Sequence, residues 1–361
     1  TLFKYIPTGV GCKGLVKLNK NQFENVMNDG VKWCVENGYG EKSDMEKTES
    51  HGKIPWADAS VVSLKAASRG INQLGTLGSG NHYCEVQVVK KNNIYDEEIA
   101  KKFGLFENQV VVMVHCGSRG FGHQIATDHL KIFDNAMKKY EVEVRDRELS
   151  CAPFQSPEGQ AYFKGMACAA NMAFANRQVI THRIREAFRD VFDKKIKDMD
   201  MNLIYDVAHN IAKIEEHVVD GKRGKYLVHR KGSTRAFGPG NPELIPEYQE
   251  TGQPVILGGS METGSHLLVG TQKAMEETFG STAHGSGRIM SRTQAKRDFS
   301  GDTLLKSMRE KGIYVRSVSM HGLAEEAGGA YKDVDEVVET LHNSGISKKV
   351  VKLIPVGNIK G

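Results

Sequence analysis

The chain has 361 residues, 26% of them charged and 39% hydrophobic, with 49 basic side chains against 44 acidic ones and a formal net charge of +5. These values are typical of a globular protein long enough for one large domain or two ordinary ones. No run of about 18 apolar residues occurs, which excludes a helical membrane span, and so mild a charge suits many enzymes as well as a nucleic-acid binder. The six cysteines form no CxxC pair and lie mostly inside apolar or helical patterns. They point to reduced thiols in a cytoplasmic or nuclear protein rather than to a disulfide framework.

Residues 19–37 carry Phe23, Val26, Met27, Val31 and Val35 at helical spacing and predict one amphipathic helix. Residues 38–50, dense in Glu and Lys, read as a solvated loop or hairpin. A glycine-rich stretch then runs through Gly75, Gly78 and Gly80 into Asn81 and His82, and a strand is expected over 84–89. After a short helix over 97–103, the β-branched run 109–115 predicts a buried strand that ends at His115. It empties into Cys116-Gly117-Ser118-Arg119-Gly120-Phe121-Gly122, a glycine-rich turn ahead of a helix over 125–140; this is a common phosphate-binding arrangement. Neither Walker nor Rossmann spacing is present.

Ser156-Pro157-Glu158 is a strong helix start, and one apolar face continues to about residue 195. Strands are predicted at 202–207, running into His209 and Asn210; at 226–229, running into Arg230 to Arg235; and at 254–257, running into Gly258-Gly259-Ser260. The remainder predicts helices over 272–279, 303–311 and 334–342, with a strand at 313–315. No internal repeat or linker is visible. Functional residues gather at strand ends in such α/β patterns.

Three histidines, His82, His115 and His209, stand at the ends of predicted strands. Imidazole suits Zn, Mn, Fe or Cu, but these spacings match no short zinc motif. Asn81 and Glu85 would add oxygen ligands and tilt such a site towards a harder ion. The alternative is that each ring satisfies a nearby carbonyl. His284 stands in Ala283-His284-Gly285-Ser286-Gly287-Arg288, and from its residues alone three roles stay open: a nucleophile against phosphate, a metal ligand, or a loop histidine. From residue 221 to 242 there is no acidic residue but six basic ones, Lys222, Arg223, Lys225, Arg230, Lys231 and Arg235. With Arg119 and Arg288 these suit a phosphodiester track held by backbone phosphates. The same run also reads as a solvated surface. No RRM, KH or zinc-finger signature appears.

Six blocks, in this order, resemble the RtcB family of GTP- and Mn²⁺-dependent RNA-splicing ligases. They are Gly78-Ser79-Gly80-Asn81-His82-Tyr83-Cys84-Glu85, His115 to Gln124, Asp206 to Lys213, His229 to Phe237, His284 to Arg288, and the terminal Ile359-Lys360-Gly361. The resemblance spans essentially the whole chain and is nearest the eukaryotic and archaeal members. It implies a single mixed α/β catalytic domain over 1–361, with sheets lining a metal and nucleotide cleft. The implied reaction joins an RNA 2′,3′-cyclic phosphate or 3′-phosphate to a 5′-hydroxyl, as in tRNA splicing and RNA repair, through a guanylylated histidine.

By position, His284 matches that nucleophile. His82, His115 and His209 match metal ligands, with Glu85 as a companion. Asn81, Asn210, Ser260, Ser265, Ser286, Gly287, Tyr331 and Lys360 match the guanylate site, and Arg119, Lys231, Arg235 and Arg288 are expected on RNA phosphate. The family also suggests cleaved tRNA halves as substrates, with archease and a helicase-containing tRNA-ligase complex as partners. Its members begin with a further segment that carries an Asp and a Cys of a two-metal site, so this chain, which starts at Thr1 in mid-pattern, is expected to be a fragment. The pattern departs at Glu262 and His266, where the family usually has glycine and tyrosine; Glu262 is expected to put negative charge near the nucleotide. Two other functions remain open: a metal-dependent RNA cyclic phosphodiesterase and an inactive RNA-binding scaffold.

Overall fold

Where apolar spacing predicts one helix over 19–37, the fold makes two, Lys20–Asp29 and Val31–Glu36. Gly30 separates them at φ 56°, and a Cβ there would lie 2.2 Å from the Gly52 carbonyl oxygen. Only glycine accepts both that torsion and that approach. The computed structural model describes residues 1–361, all but the side chain of Arg147. Its mixed α/β architecture matches the expected class and divides into two compact units, each taken by itself: Thr1–Pro7, Gly11–Thr76 and Cys116–Met201; and Thr8–Val10, Leu77–His115 and Asn202–Gly361.

The first unit is helical. Its longest element, Pro157–Phe192, begins where the sequence signals it: the Ser156 hydroxyl accepts from the Gly159 amide at 3.1 Å, with Pro157 in the first turn. Its apolar face buries Met172, Ala175 and Val179 against Phe23, Val26, Trp33 and Phe121. Each of the larger of these side chains contributes on the order of 2 kcal/mol by leaving water. The helix expected from residue 125 starts earlier, at Arg119–Lys139, so most of the glycine-rich turn is its first turn. Gly122 permits this, because a Cβ would meet the Ser118 hydroxyl at 2.1 Å. Residues 38–50 are not simply solvated. They contain the helix Lys42–Glu46, and Asp44 is buried in a two-pronged pair with Arg185 at 2.6 and 2.7 Å.

The second unit holds every named strand: β1 Tyr83–Ile94, β2 Val110–His115, β3 Asn210–Val219, β4 Lys222–Lys231, β5 Ser233–Arg235, β6 Pro254–Gly258, β7 Ser265–Gly270, β8 Ser281–Ala283, β9 Tyr314–Ser317 and β10 Ser347–Lys360. The main sheet runs β2-β1-β10-β7-β6, antiparallel throughout, with β9 added parallel to β10. Two smaller pairs, β3 with β4 and β5 with β8, complete the set.

Two expectations fail here, and one strand went unforeseen, for physical reasons. Residues 202–207 form no strand: Tyr205 turns into the core and the Tyr248 hydroxyl donates to the Ile204 carbonyl at 2.7 Å, so this backbone is held by side chains instead of a ladder. β2, expected to be buried, is an edge strand with Val110 half exposed. β10, the strand at the middle of the sheet, carries no strand signal because Pro355 and Gly357 interrupt its apolar run. The register against β1 jumps from Val86↔Gly357 to Gln87↔Pro355, a bulge at Val356 that accommodates the proline. Leu267, Val269, Val351 and Leu353 pack with Phe103 and Tyr248 beneath the sheet. Among the described residues no helix is long and apolar enough to cross a membrane.

Candidate functional site

The strand register brings the histidines together within the second unit. Tyr83 pairs with both His115 and Lys360, so His82, the last residue before β1, lies beside the end of β2 and the end of β10. His209 precedes β3, whose first residue Asn210 pairs with Lys231. The Gly232 amide then donates to the His209 carbonyl at 3.1 Å, and the neighbouring pair Ser233↔Ala283 delivers His284 to the same place. The result is a row of four imidazoles. Ring centroids are 5.7 Å apart from His82 to His115, 5.2 Å from His115 to His209, and 4.4 Å from His209 to His284, the last pair stacked.

Burial holds two of these rings, His115 and His284, neutral. It pushes the His115 pKa well below the usual histidine value, and His82, His209, His284 and Lys360 add to that effect. It also lowers His284, opposed by the Gly232 backbone and reinforced by Lys231. A neutral ring keeps a lone pair for a metal or for phosphorus. His115 Nε2 and His209 Nε2 are 3.0 Å apart, a separation that one shared ion at about 2.1 Å from each nitrogen would satisfy. Two donors are not a coordination sphere, and among the described residues no group of three His, Cys, Asp or Glu side chains is set to hold a metal ion. The row fits a metal as part of a site.

The loop after His284 is sewn into the sheet. Gly258 donates to the His284 carbonyl at 3.3 Å and accepts from the Ser286 amide at 3.0 Å; the Lys332 amide donates to the Gly287 carbonyl at 2.9 Å. Gly287 sits at φ 77° with open space where a Cβ would point. Ser260, Ser265 and Ser286 are buried. Tyr331 lies under the Arg288 guanidinium, 4.8 Å from ring to carbon, and Arg288 Nη1 donates to its hydroxyl at 3.0 Å. Lys360 is buried, with Nζ 3.4 Å from the Gly80 carbonyl and 3.6 Å from Glu326. Burial lowers its pKa, against the pull of Glu326 and Glu85. Burial likewise raises Glu85 to about 7, although Asn358, Gln87 and Lys360 work the other way.

Not every expected residue is placed to act. Arg235, expected on RNA phosphate, is buried, and its guanidinium donates to Gln253, Glu243 and the Tyr205 hydroxyl at 2.7–2.8 Å. It braces the core because these three partners take up its donors there. Arg230 in the same basic run is likewise clamped on Glu215 at 2.6 and 2.8 Å. Arg288 already donates to Met290 O, Glu325 O and Tyr331, so it orders the loop. Arg119 belongs to the first unit, where it donates to the Thr76 hydroxyl at 3.1 Å. Lys231 is exposed beside Gly232 and is the one of the four left open to a phosphate. The Glu262 charge is met by Lys311 at 2.9 Å and the Gly328 amide at 3.1 Å. His266 instead faces Asp335 at 2.8 Å and stacks on Tyr95.

Three residues of the site carried no signal in the sequence. Gln87 and Asn358 both donate to Glu85, Gln87 at 2.6 Å. Glu326, in a Glu-Glu pair that reads as a solvated helix end, is 1% exposed.

The family model described as tRNA-splicing ligase RtcB matches residues 1–361. The tRNA-splicing ligase RtcB of Thermococcus kodakarensis is 55% identical over 100% of this chain and 74% of its own length. That of Archaeoglobus fulgidus is 53% identical over 100% of this chain and 74% of its own. The Pyrococcus abyssi protein of the same name is 54% identical, but the chain covers only 39% of it. The chain thus spans about three quarters of some curated relatives and under half of others.

Proposed function

The chain belongs to the RtcB family, and from that premise we propose that it is the catalytic part of an RNA ligase that joins RNA 2′,3′-cyclic phosphate or 3′-phosphate ends to 5′-hydroxyl ends through a guanylylated His284. The observation that carries this reading is the position of His284: a neutral imidazole stacked on His209, ahead of a loop that turns at Gly287. Its Nδ1 is buried against Gly232, which leaves Nε2 as the attacking nitrogen.

Nε2 attacks the α-phosphorus of GTP; a P–N bond forms as pyrophosphate leaves. Where the RNA end is a 2′,3′-cyclic phosphate, water first breaks its P–O2′ bond to leave a 3′-phosphate and a 2′-hydroxyl. An oxygen of the 3′-phosphate then attacks the α-phosphorus carried by His284 and the imidazole departs neutral. The RNA 5′-hydroxyl finally attacks the activated 3′-phosphate, closing the phosphodiester as GMP leaves and the hydroxyl proton passes to solvent. A manganese ion held in part by His82, His115 and His209 would, when bound, neutralise charge growing on the phosphates. Asn81, Asn210, Ser260, Ser265, Ser286 and Gly287 line the path for the guanylate, Tyr331 and Lys360 take its base side, and Lys231 meets RNA phosphate. Cleaved tRNA halves are the substrate this reading favours, with archease and a helicase-containing complex as partners in the cytoplasm or nucleus.

The test is to incubate the full-length protein with Mn²⁺ and α-labelled GTP. An acid-labile protein label that His284→Ala loses supports the ligase. Cyclic-phosphate opening without label would mean a phosphodiesterase, and RNA retention with neither would mean a scaffold.

A further inference from the structure

Glu326 follows the helix Met320–Glu325 and is 1% exposed, yet it is surrounded by groups of the candidate site. One carboxylate oxygen accepts from the Tyr331 hydroxyl and lies 3.6 Å from Lys360 Nζ; the other lies 3.4 Å from Arg288 Nη1 and 3.8 Å from Arg292 Nε. A buried charge persists only where cations and donors surround it. Here they come from three separate stretches of chain: the loop after His284, the segment that ends in Tyr331, and the last residues of β10. Arg288 has other anchors, in Met290 O and Glu325 O. Besides Glu326, Lys360 has the Gly80 carbonyl at 3.4 Å and the Tyr83 ring at 5.5 Å, and its other carboxylate influence, Glu85, makes no direct ion pair with it; the Tyr331 hydroxyl has the guanidinium of Arg288. Lys360 and Tyr331 are therefore the two groups whose orientation depends on Glu326.

We propose that Glu326 is the positioning residue of the nucleotide side of the site: its carboxylate aims the Lys360 ammonium and the Tyr331 phenol at the guanylate. The inference rests on the assignment of those two residues to the guanylate. Glu326 makes no contact with His284 among the hydrogen bonds and ion pairs described above, so its loss weakens nucleotide binding and leaves the attack on phosphorus largely intact.

The experiment uses full-length protein with Mn²⁺. The Kd for GMP is measured by calorimetry, and the KM for GTP and maximal rate by transfer of label from α-labelled GTP to the protein. Glu326→Gln keeps the side-chain volume and removes the charge. It is expected to raise Kd and KM about tenfold or more while the maximal rate stays within about twofold. Tyr331→Phe deletes only the hydroxyl on that carboxylate and raises both constants in the same direction. Because the two residues act as one unit, the double variant falls short of the product of the single effects. An unchanged Kd and KM in Glu326→Gln, or effects that multiply fully, overturns the inference, as does an equal fall in maximal rate. Should the Gln variant fail to fold, an unchanged Kd in Tyr331→Phe overturns it. A wild-type protein that takes no label overturns the guanylate assignment and this inference together, whereas a labelled wild type with an unaffected Gln variant overturns this inference alone.

Discussion

Two buried carboxylates titrate in opposite directions, and the contrast separates scaffold from site. For Asp44, in the helical unit, burial alone would raise the pKa, but the two-pronged Arg185 pair, the Glu41 amide and Gln178 outweigh it and hold the carboxyl below its ordinary value. For Glu85, in the sheet unit, burial wins and the pKa rises to about 7, because its hydrogen-bond donors, Gln87 and Asn358, are neutral amides. A charge-assisted pair finishes the electrostatics inside the protein. Amides leave it unfinished, and a ligand can complete it. Strongly shifted groups gather where chemistry happens, and here burial dominates the shifts at Glu85, His115, His284 and Lys360.

The largest expected effect comes from breaking the finished pair. Arg185→Ala strands Asp44 in the core and is expected to lower stability by about 3–5 kcal/mol, read from the urea midpoint at neutral pH. A loss under about 1 kcal/mol would remove the distinction.

Next is the pH dependence of Glu85. Its folded pKa exceeds its unfolded one, so the fold retains a proton that the unfolded chain releases. Its contribution to stability therefore declines as pH rises from about 4.5 to about 7, and then levels off. The difference is worth roughly 3 kcal/mol, and Glu85→Gln should abolish that decline. Parallel stability curves for wild type and variant from pH 4 to 8 would count against the assignment.

Asp44 carries the opposite sign. Its contribution is present above the unfolded pKa of about 3.9 and is lost as pH falls through the lower folded value. Acid unfolding followed by helical circular dichroism should therefore steepen below about pH 4 in wild type and less in Asp44→Asn. An identical acid limb in both proteins would contradict it.

The smallest effect is expected at Glu262, whose charge Lys311 and the Gly328 amide already meet. Glu262→Gln should move the KM for GTP by no more than about twofold, and a tenfold change would mean that its charge reaches the nucleotide.

Much of the fold was legible where the signal is local. The cap at Ser156 and the apolar face behind it located the long helix, and β-branched runs located β2 and β6. β10 was not legible, since a proline and a glycine mask a strand whose existence depends on two neighbours far away in the chain. Residues 202–207 look like a strand, but their backbone partners are side chains such as Tyr248. At the site, His82, His115, His209 and His284 stood out because each sits beside glycine or a strand end. Arg235 misled and Glu326 went unseen for one shared reason: a charged side chain does not announce its partner.

Residue type and order alone set the chemistry available: four imidazoles beside glycine or a strand end, a terminal lysine, and the ordered blocks that mark the RtcB family. These rest on residue type and short spacing, which local sterics and hydrogen bonding read directly. Which charges are neutralised inside the protein and which stand ready follows from the folded arrangement. Burial and pairing depend on residues brought together from distant stretches, as when β10 carries Lys360 to Tyr83 and Glu326, and no local pattern encodes that meeting.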